Sequence, residues 1–193
     1  MIAAAIGALV VVGCAVSVAH IAASELDVGD GGELARPANI SAWPNVGATI
    51  RMGAPNSAGM GAASSTPAGS PNAAIPSQLR QVQMAPDAYE SFVRTHEYPD
   101  GAAFAATIYL LRHDSAFTPE IYEPEQEAAF VMEVIDRNHP DGRRFYSFAP
   151  GATSAAALPP GNACAVCHNA RGSFNGTFAQ FYPAISRYTA DQN

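Results

Sequence analysis

The sequence has no lysine, and its whole complement of strongly basic residues is ten arginines. Seventeen acidic residues oppose them, for a formal net charge of −7. This balance excludes nucleic-acid binding as the default reading, because nothing would neutralise a run of phosphates. Cysteine is scarce too: three in 193 residues are too few for a disulfide framework. Apolar residues reach 48%, but alanine supplies much of that figure, so bulky core-forming side chains are fewer than it suggests. Full disorder is excluded all the same, since aromatics make up 9% and apolar runs recur. The length suits one domain with room for a leader and a linker.

Between Ile2 and Ala23 the only titratable side chains are His20 and Cys14. A run of this length can cross a bilayer or form the apolar part of an export signal. Ala22, Ala23 and Ser24 suit a signal-peptidase site, although no Lys or Arg precedes Arg36. Residues 1–24 are therefore read as a signal peptide first and a membrane anchor second. Val11-Val12-Gly13-Cys14 resembles a short lipobox, and lipidation of Cys14 ranks third. The bland alternative is a buried core helix. The first three readings all place the remaining chain outside the cytoplasm, as in a periplasm.

From Gly53 to Ala74 every residue except Met60 is Gly, Ala, Ser, Thr, Pro or Asn. Such a segment cannot bury enough apolar surface to offset its ordering entropy, so residues 53–74 read as a linker or insertion. It separates an N-terminal arm, residues 25–52, from the main body, residues 75–193. In the body, Arg80, Val82 and Met84 alternate onto one side of a strand. Pro86-Asp87 opens a helix through Val93. Tyr98 to Gly101 and His139 to Gly142 are turns. Further strands are predicted over Phe104 to Leu111, Ala129 to Ile135 and Phe145 to Phe148. Thr177 to Tyr182 is a helical turn that Pro183 should stop. Strands joined by turns, with an inserted helix and helices at the end, predict an α+β fold built on an antiparallel sheet.

One pentapeptide carries the chemistry. Cys164-Ala165-Val166-Cys167-His168 has the CxxCH spacing of c-type haem attachment. Two thiols three residues apart can reach the two vinyl groups on a porphyrin, and the next residue offers the iron an imidazole. Zinc would need a fourth donor at suitable spacing, and none is available. A thioredoxin-type pair would want a βαβ setting that the pattern lacks. Cys164, Cys167 and His168 are thus the expected haem site, with His168 on the metal. Only 25 residues follow His168, and none is methionine. Met52, Met60, Met84 and Met132 all lie upstream. His96, His113 and His139 could coordinate in principle, but His113 and His139 sit in polar, turn-like contexts and read as surface residues. A sixth position without a protein ligand is the better expectation, and it points to ligand binding or catalysis rather than simple electron shuttling.

These residues resemble the cytochrome P460 family, which includes the cytochromes c′-beta. Gly32-Glu33-Leu34 with Pro37, Asn39, Trp43, Val46 and Gly47 is similar to the family's N-terminal arm. Arg80, Pro86, Tyr89 and Asp100-Gly101 resemble its first strand, helix and turn. Cys164 to His168, then Phe178, Phe181, Tyr182 and Pro183, resemble its haem segment. The resemblance implies a sheet-rich haem domain, usually a homodimer, with covalent haem c held five-coordinate by His168. In the hydroxylamine-oxidising members a lysine crosslinks the haem. The matching position is Ala106, and the chain has no lysine to form that crosslink. It is more similar there to the uncrosslinked relatives, which bind nitric oxide and carbon monoxide behind an apolar wall.

The resemblance also implies polar pocket roles for Arg80 and Glu133. A buried Arg80 would need an anion, either a haem propionate or Glu133, and a buried Glu133 could accept a proton from a bound nitrogen substrate. The bland reading of both is a strand charge facing water. Phe104, Phe130, Phe145, Phe148 and Phe178 are candidates for the apolar wall, with core packing the default for each. The leading expectation is a cytochrome that binds nitric oxide or carbon monoxide and works with a redox partner protein. A hydroxylamine-oxidising enzyme is the alternative, with Arg80 and Glu133 as its catalytic residues. A plain electron carrier, with or without a membrane tether, is the third.

Overall fold

Alternating apolar and polar residues produce most of the regular structure. The computed structural model describes residue 26 and residues 32–53, 75–113 and 121–189. The expected leader, most of the linker and the side chain of His113 lie outside the described residues. The elements run β1 (Glu33–Ala35), β2 (Asn45–Gly53), β3 (Ile75–Met84), α1 (Pro86–Thr95), β4 (Ala103–His113), β5 (Tyr122–Ile135), β6 (Arg143–Phe148), β7 (Ser154–Ala156), α2 (Ala163–Arg171) and α3 (Pro183–Ser186). Strands β2 to β6 form one five-stranded sheet in sequential order, and β1 pairs with β7 in a small second sheet. Every pairing is antiparallel. The fold is α+β, as the mixed periods predict. Among the described residues no helix is long and apolar enough to cross a membrane.

The N-terminal arm supplies β2, an edge strand that pairs along β3. At its far end Gly53 stands opposite Ile75, so both ends of the low-complexity connection are held side by side in register. Gly47 lets the C-terminal segment lie against β2. A Cβ at this position would sit 2.5 Å from the Phe181 carbonyl oxygen and 2.9 Å from the Tyr182 ring.

Pairing in register sorts the side chains onto two faces. Val82 stands opposite Ala106 and Ala106 opposite Val131, while Phe104 stands opposite Glu133 and Glu133 opposite Phe145. These residues share the face that the C-terminal segment covers. Phe130 and Phe148 fall on the other face, with their rings 5.1 Å apart. They are therefore not part of the expected apolar wall. Over Phe130 lies the Arg36 guanidinium, 4.0 Å from the ring centre, and it forks onto Glu127 at 2.8 and 2.7 Å.

Helix α1 starts on Pro86, with Asp87 in its first turn, and ends where His96 enters the left-handed region. Its buried Phe92 stacks on Tyr98 at 4.7 Å, and Tyr98 meets Phe104 and Phe174 edge-on. This aromatic cluster binds the helix and the C-terminal segment to one end of the sheet. Two local expectations are corrected. Strand β5 begins at Tyr122 rather than Ala129, because bulges beside Ile108 and Leu110 let the pairing continue past the regular alternation. Pro183 does not stop a helix but begins α3, where its missing N–H costs nothing.

Candidate functional site

The CxxCH segment forms the first turns of α2. Asn162 caps the helix, its side-chain oxygen accepting from the Cys164 and Ala165 amides at 3.0 and 3.1 Å. The Gly161 amide donates to Asp141 at 2.8 Å, which ties the helix start to the 139–142 turn. Residues 164, 167 and 168 are spaced i, i+3 and i+4, so helical geometry sets them on neighbouring positions of one side. Both thiols are free. Cys167 is exposed and Cys164 half-buried. Burial pushes the Cys164 thiol above its ordinary value, and the charge of Arg80 partly opposes the rise.

His168 is mostly buried between two rings. Phe145 lies 4.9 Å from it and Phe178 4.6 Å, both edge-on. Its Nδ1 is 3.1 Å from the Gly176 carbonyl oxygen and 3.3 Å from Glu133 Oε2. A carbonyl oxygen only accepts, so this hydrogen bond requires the proton on Nδ1. That tautomer leaves the Nε2 lone pair available to a metal.

Glu133 and Arg143 are both buried, at 6% exposure each, and form an ion pair between Glu133 Oε1 and Arg143 Nη1. Arg143 Nη1 also donates to the Gly176 carbonyl at 2.9 Å, and Nη2 to that of Asn175 at 2.5 Å. The two carbonyls are presented by a turn in which Asn175 and Gly176 have φ of 43° and 67°.

One cavity reaches the histidine, and a larger one adjoins that cavity, sharing Arg80, Val82, Phe178 and Tyr182 with it. The larger, about 340 Å³, is lined by Ala48, Thr49, Ile50, Arg80, Val82, Phe178, Phe181 and Tyr182. The smaller adds Phe104, Ala106, Val131, Glu133, Phe145 and His168. Most of these residues are apolar. Burial holds the Tyr182 phenol protonated, well above its ordinary range. Among the described lining residues there is no methionine, lysine or second histidine.

The predicted site residues are thus brought together, though not in the expected pairings. Arg80 is exposed at the cavity, and its expected partner Glu133 is joined to Arg143 instead. Phe104, Phe145 and Phe178 line the smaller cavity, and Ala106 lies beside Val131. His96 packs against Tyr188 at 5.2 Å, away from the cavities. His139 is buried rather than on the surface, its Nδ1 accepting from the Asp141 amide at 3.3 Å inside the turn. Met84 and Met132 are fully buried in the core. Sequence reasoning missed Arg143. Its only trace was a second arginine beside Arg144 after an Asp-Gly turn.

Among the described residues no cluster of three or more His, Cys, Asp or Glu could hold a bare metal ion. One imidazole between two rings supplies a single ligand, which suits a metal that brings its other ligands with it. No curated protein matches the chain. The family model for cytochrome P460 matches residues 55–178, which include strands β3 to β7, the CxxCH helix and Phe178. With haem implied by that match and a lone histidine at the cavity, the chain belongs to the cytochrome P460 family.

Proposed function

We propose that this protein is an extracytoplasmic mono-haem c-type cytochrome that binds nitric oxide or a similar small ligand. When bound, the haem would supply an iron that takes such a ligand or exchanges an electron. Cys164 and Cys167 would hold it by adding Sγ–H across its two vinyl groups, each forming one S–C bond with no leaving group. His168 would ligate through Nε2, which its Nδ1 hydrogen bond leaves unprotonated. The N-terminal run of apolar residues and the export that haem c attachment requires support the extracytoplasmic placement. A homodimer and a redox partner protein belong to the same reading.

One observation carries it. The cavity that His168 lines is walled mainly by Val82, Phe104, Ala106, Val131, Phe145, Phe178 and Tyr182, with Arg80 and Glu133 as its charged groups and no methionine, lysine or second histidine among the described lining residues. A mostly apolar wall that offers no competing axial side chain suits an uncharged diatomic ligand. The hydroxylamine-oxidising alternative loses support, because both Glu133 oxygens are already engaged. The test is the absorption spectrum of the haem-loaded protein, ferric and ferrous, with and without carbon monoxide. A high-spin ferrous form that shifts with carbon monoxide is expected. A low-spin, unresponsive form would overturn the reading in favour of an electron carrier.

A further inference from the structure

We propose that Glu133, locked by Arg143, is a positioning residue that sets the donor strength of His168. The inference rests on the reading of His168 as the iron ligand. Four groups close a loop: His168 Nδ1, Glu133, Arg143 and the Gly176 carbonyl. The carboxylate cannot swing away, because its other oxygen is held by a guanidinium that also grips two backbone carbonyls.

Stability alone does not account for this arrangement. A buried ion pair is often no more stable than apolar residues of the same volume. Arg143 also keeps a buried Nε with no hydrogen-bond partner among the described residues, which is a further cost. What the pair does provide is a fixed negative charge 3.3 Å from Nδ1 of the ligating ring. The Gly176 carbonyl accepts that nitrogen's proton, and a negative charge beside it further polarises the Nδ1–H bond and makes the imidazole a stronger electron donor through Nε2. Glu133 therefore acts through the Nδ1 edge of His168.

The test compares haem-loaded wild type with Glu133→Gln and Arg143→Lys. A pyridine haemochrome assay first establishes that wild type carries covalent haem. Its absence would overturn the proposed function before any variant is made. The ferrous iron–histidine stretching band and the reduction potential are then measured. Glu133→Gln should lower the band frequency and raise the potential, leaving the carbon–oxygen stretch of the carbon monoxide complex in place. Arg143→Lys keeps the charge but loses the fork, and should move both readouts the same way by less. It keeps the question answerable if Glu133→Gln does not fold. A lower melting temperature with both readouts at wild-type values would reduce the pair to packing and overturn the proposal. A shift confined to the carbon–oxygen stretch would place Glu133 on the ligand side and overturn it as well.

Discussion

Replacing Gly176 by alanine puts a methyl group where Arg143 Nη2 now lies. The residue has φ +67°, so alanine would already be strained there by about 1–2 kcal/mol. An arginine tip on an open surface would simply swing aside. This one is buried and held by Glu133, Asn175 and Gly176. Displacing it leaves Glu133 without its partner, and breaking a buried pair costs roughly 3–5 kcal/mol. The full penalty is therefore about 4–7 kcal/mol when the guanidinium leaves its place. Gly151 provides the control, because it has φ +75° and nothing within 4 Å of its added Cβ. Gly151→Ala should cost only the backbone strain. Urea unfolding of both variants should separate them by about 3 kcal/mol or more, the cost of the broken pair. A difference below about 1 kcal/mol would mean that Arg143 moves freely, and the cradle argument would fail.

Three further outcomes are expected. Asn162→Ala removes the cap that accepts from Cys164 and Ala165, and thermal unfolding should show a loss of about 1 kcal/mol. The Arg36 hydrogen bond holds the Glu127 carboxyl below its ordinary value of 4.5, so its stabilisation is present above that pH and is lost as pH falls through the folded value. The pair is partly exposed, so Glu127→Gln should cost about 0.5–1 kcal/mol at pH 7, a deficit that closes under acid conditions in urea titrations. Ala106→Phe narrows the wall beside Val82 and Val131, and flash photolysis should show carbon monoxide rebinding slowed on the order of tenfold, which is about 1.4 kcal/mol of barrier. An unchanged rate would mean that the ligand does not pass this wall.

Alternation was enough to read the central strands. Arg80, Val82 and Met84 share a side in the sequence, and the pairing with β4 places them on one face. The same parity argument would have set Phe130 apart from Val131 and Glu133, since neighbouring residues of a strand point to opposite faces. Grouping the phenylalanines by type rather than by position obscured that. Strand β2 was not legible, because its nine residues include two glycines and lack a clean period. Arg143 was not legible for another reason. Besides Glu133, its partners are backbone carbonyls of Asn175 and Gly176, more than thirty residues later, and a carbonyl leaves no mark on the choice of its own side chain. The CxxCH motif was legible because its spacing is dictated within a single helical turn, independent of the rest of the chain.

The pairing of Gly53 with Ile75 has a consequence for how this fold can vary. Both ends of the intervening stretch are fixed one strand spacing apart by sheet bonds that do not involve the stretch itself. Closing a loop between such ends costs only about 0.6 kcal/mol more for each doubling of its length. The sheet therefore leaves the connection's length and composition nearly unconstrained. Residues could be added or removed here, or a reporter domain inserted, without moving the wall that faces His168.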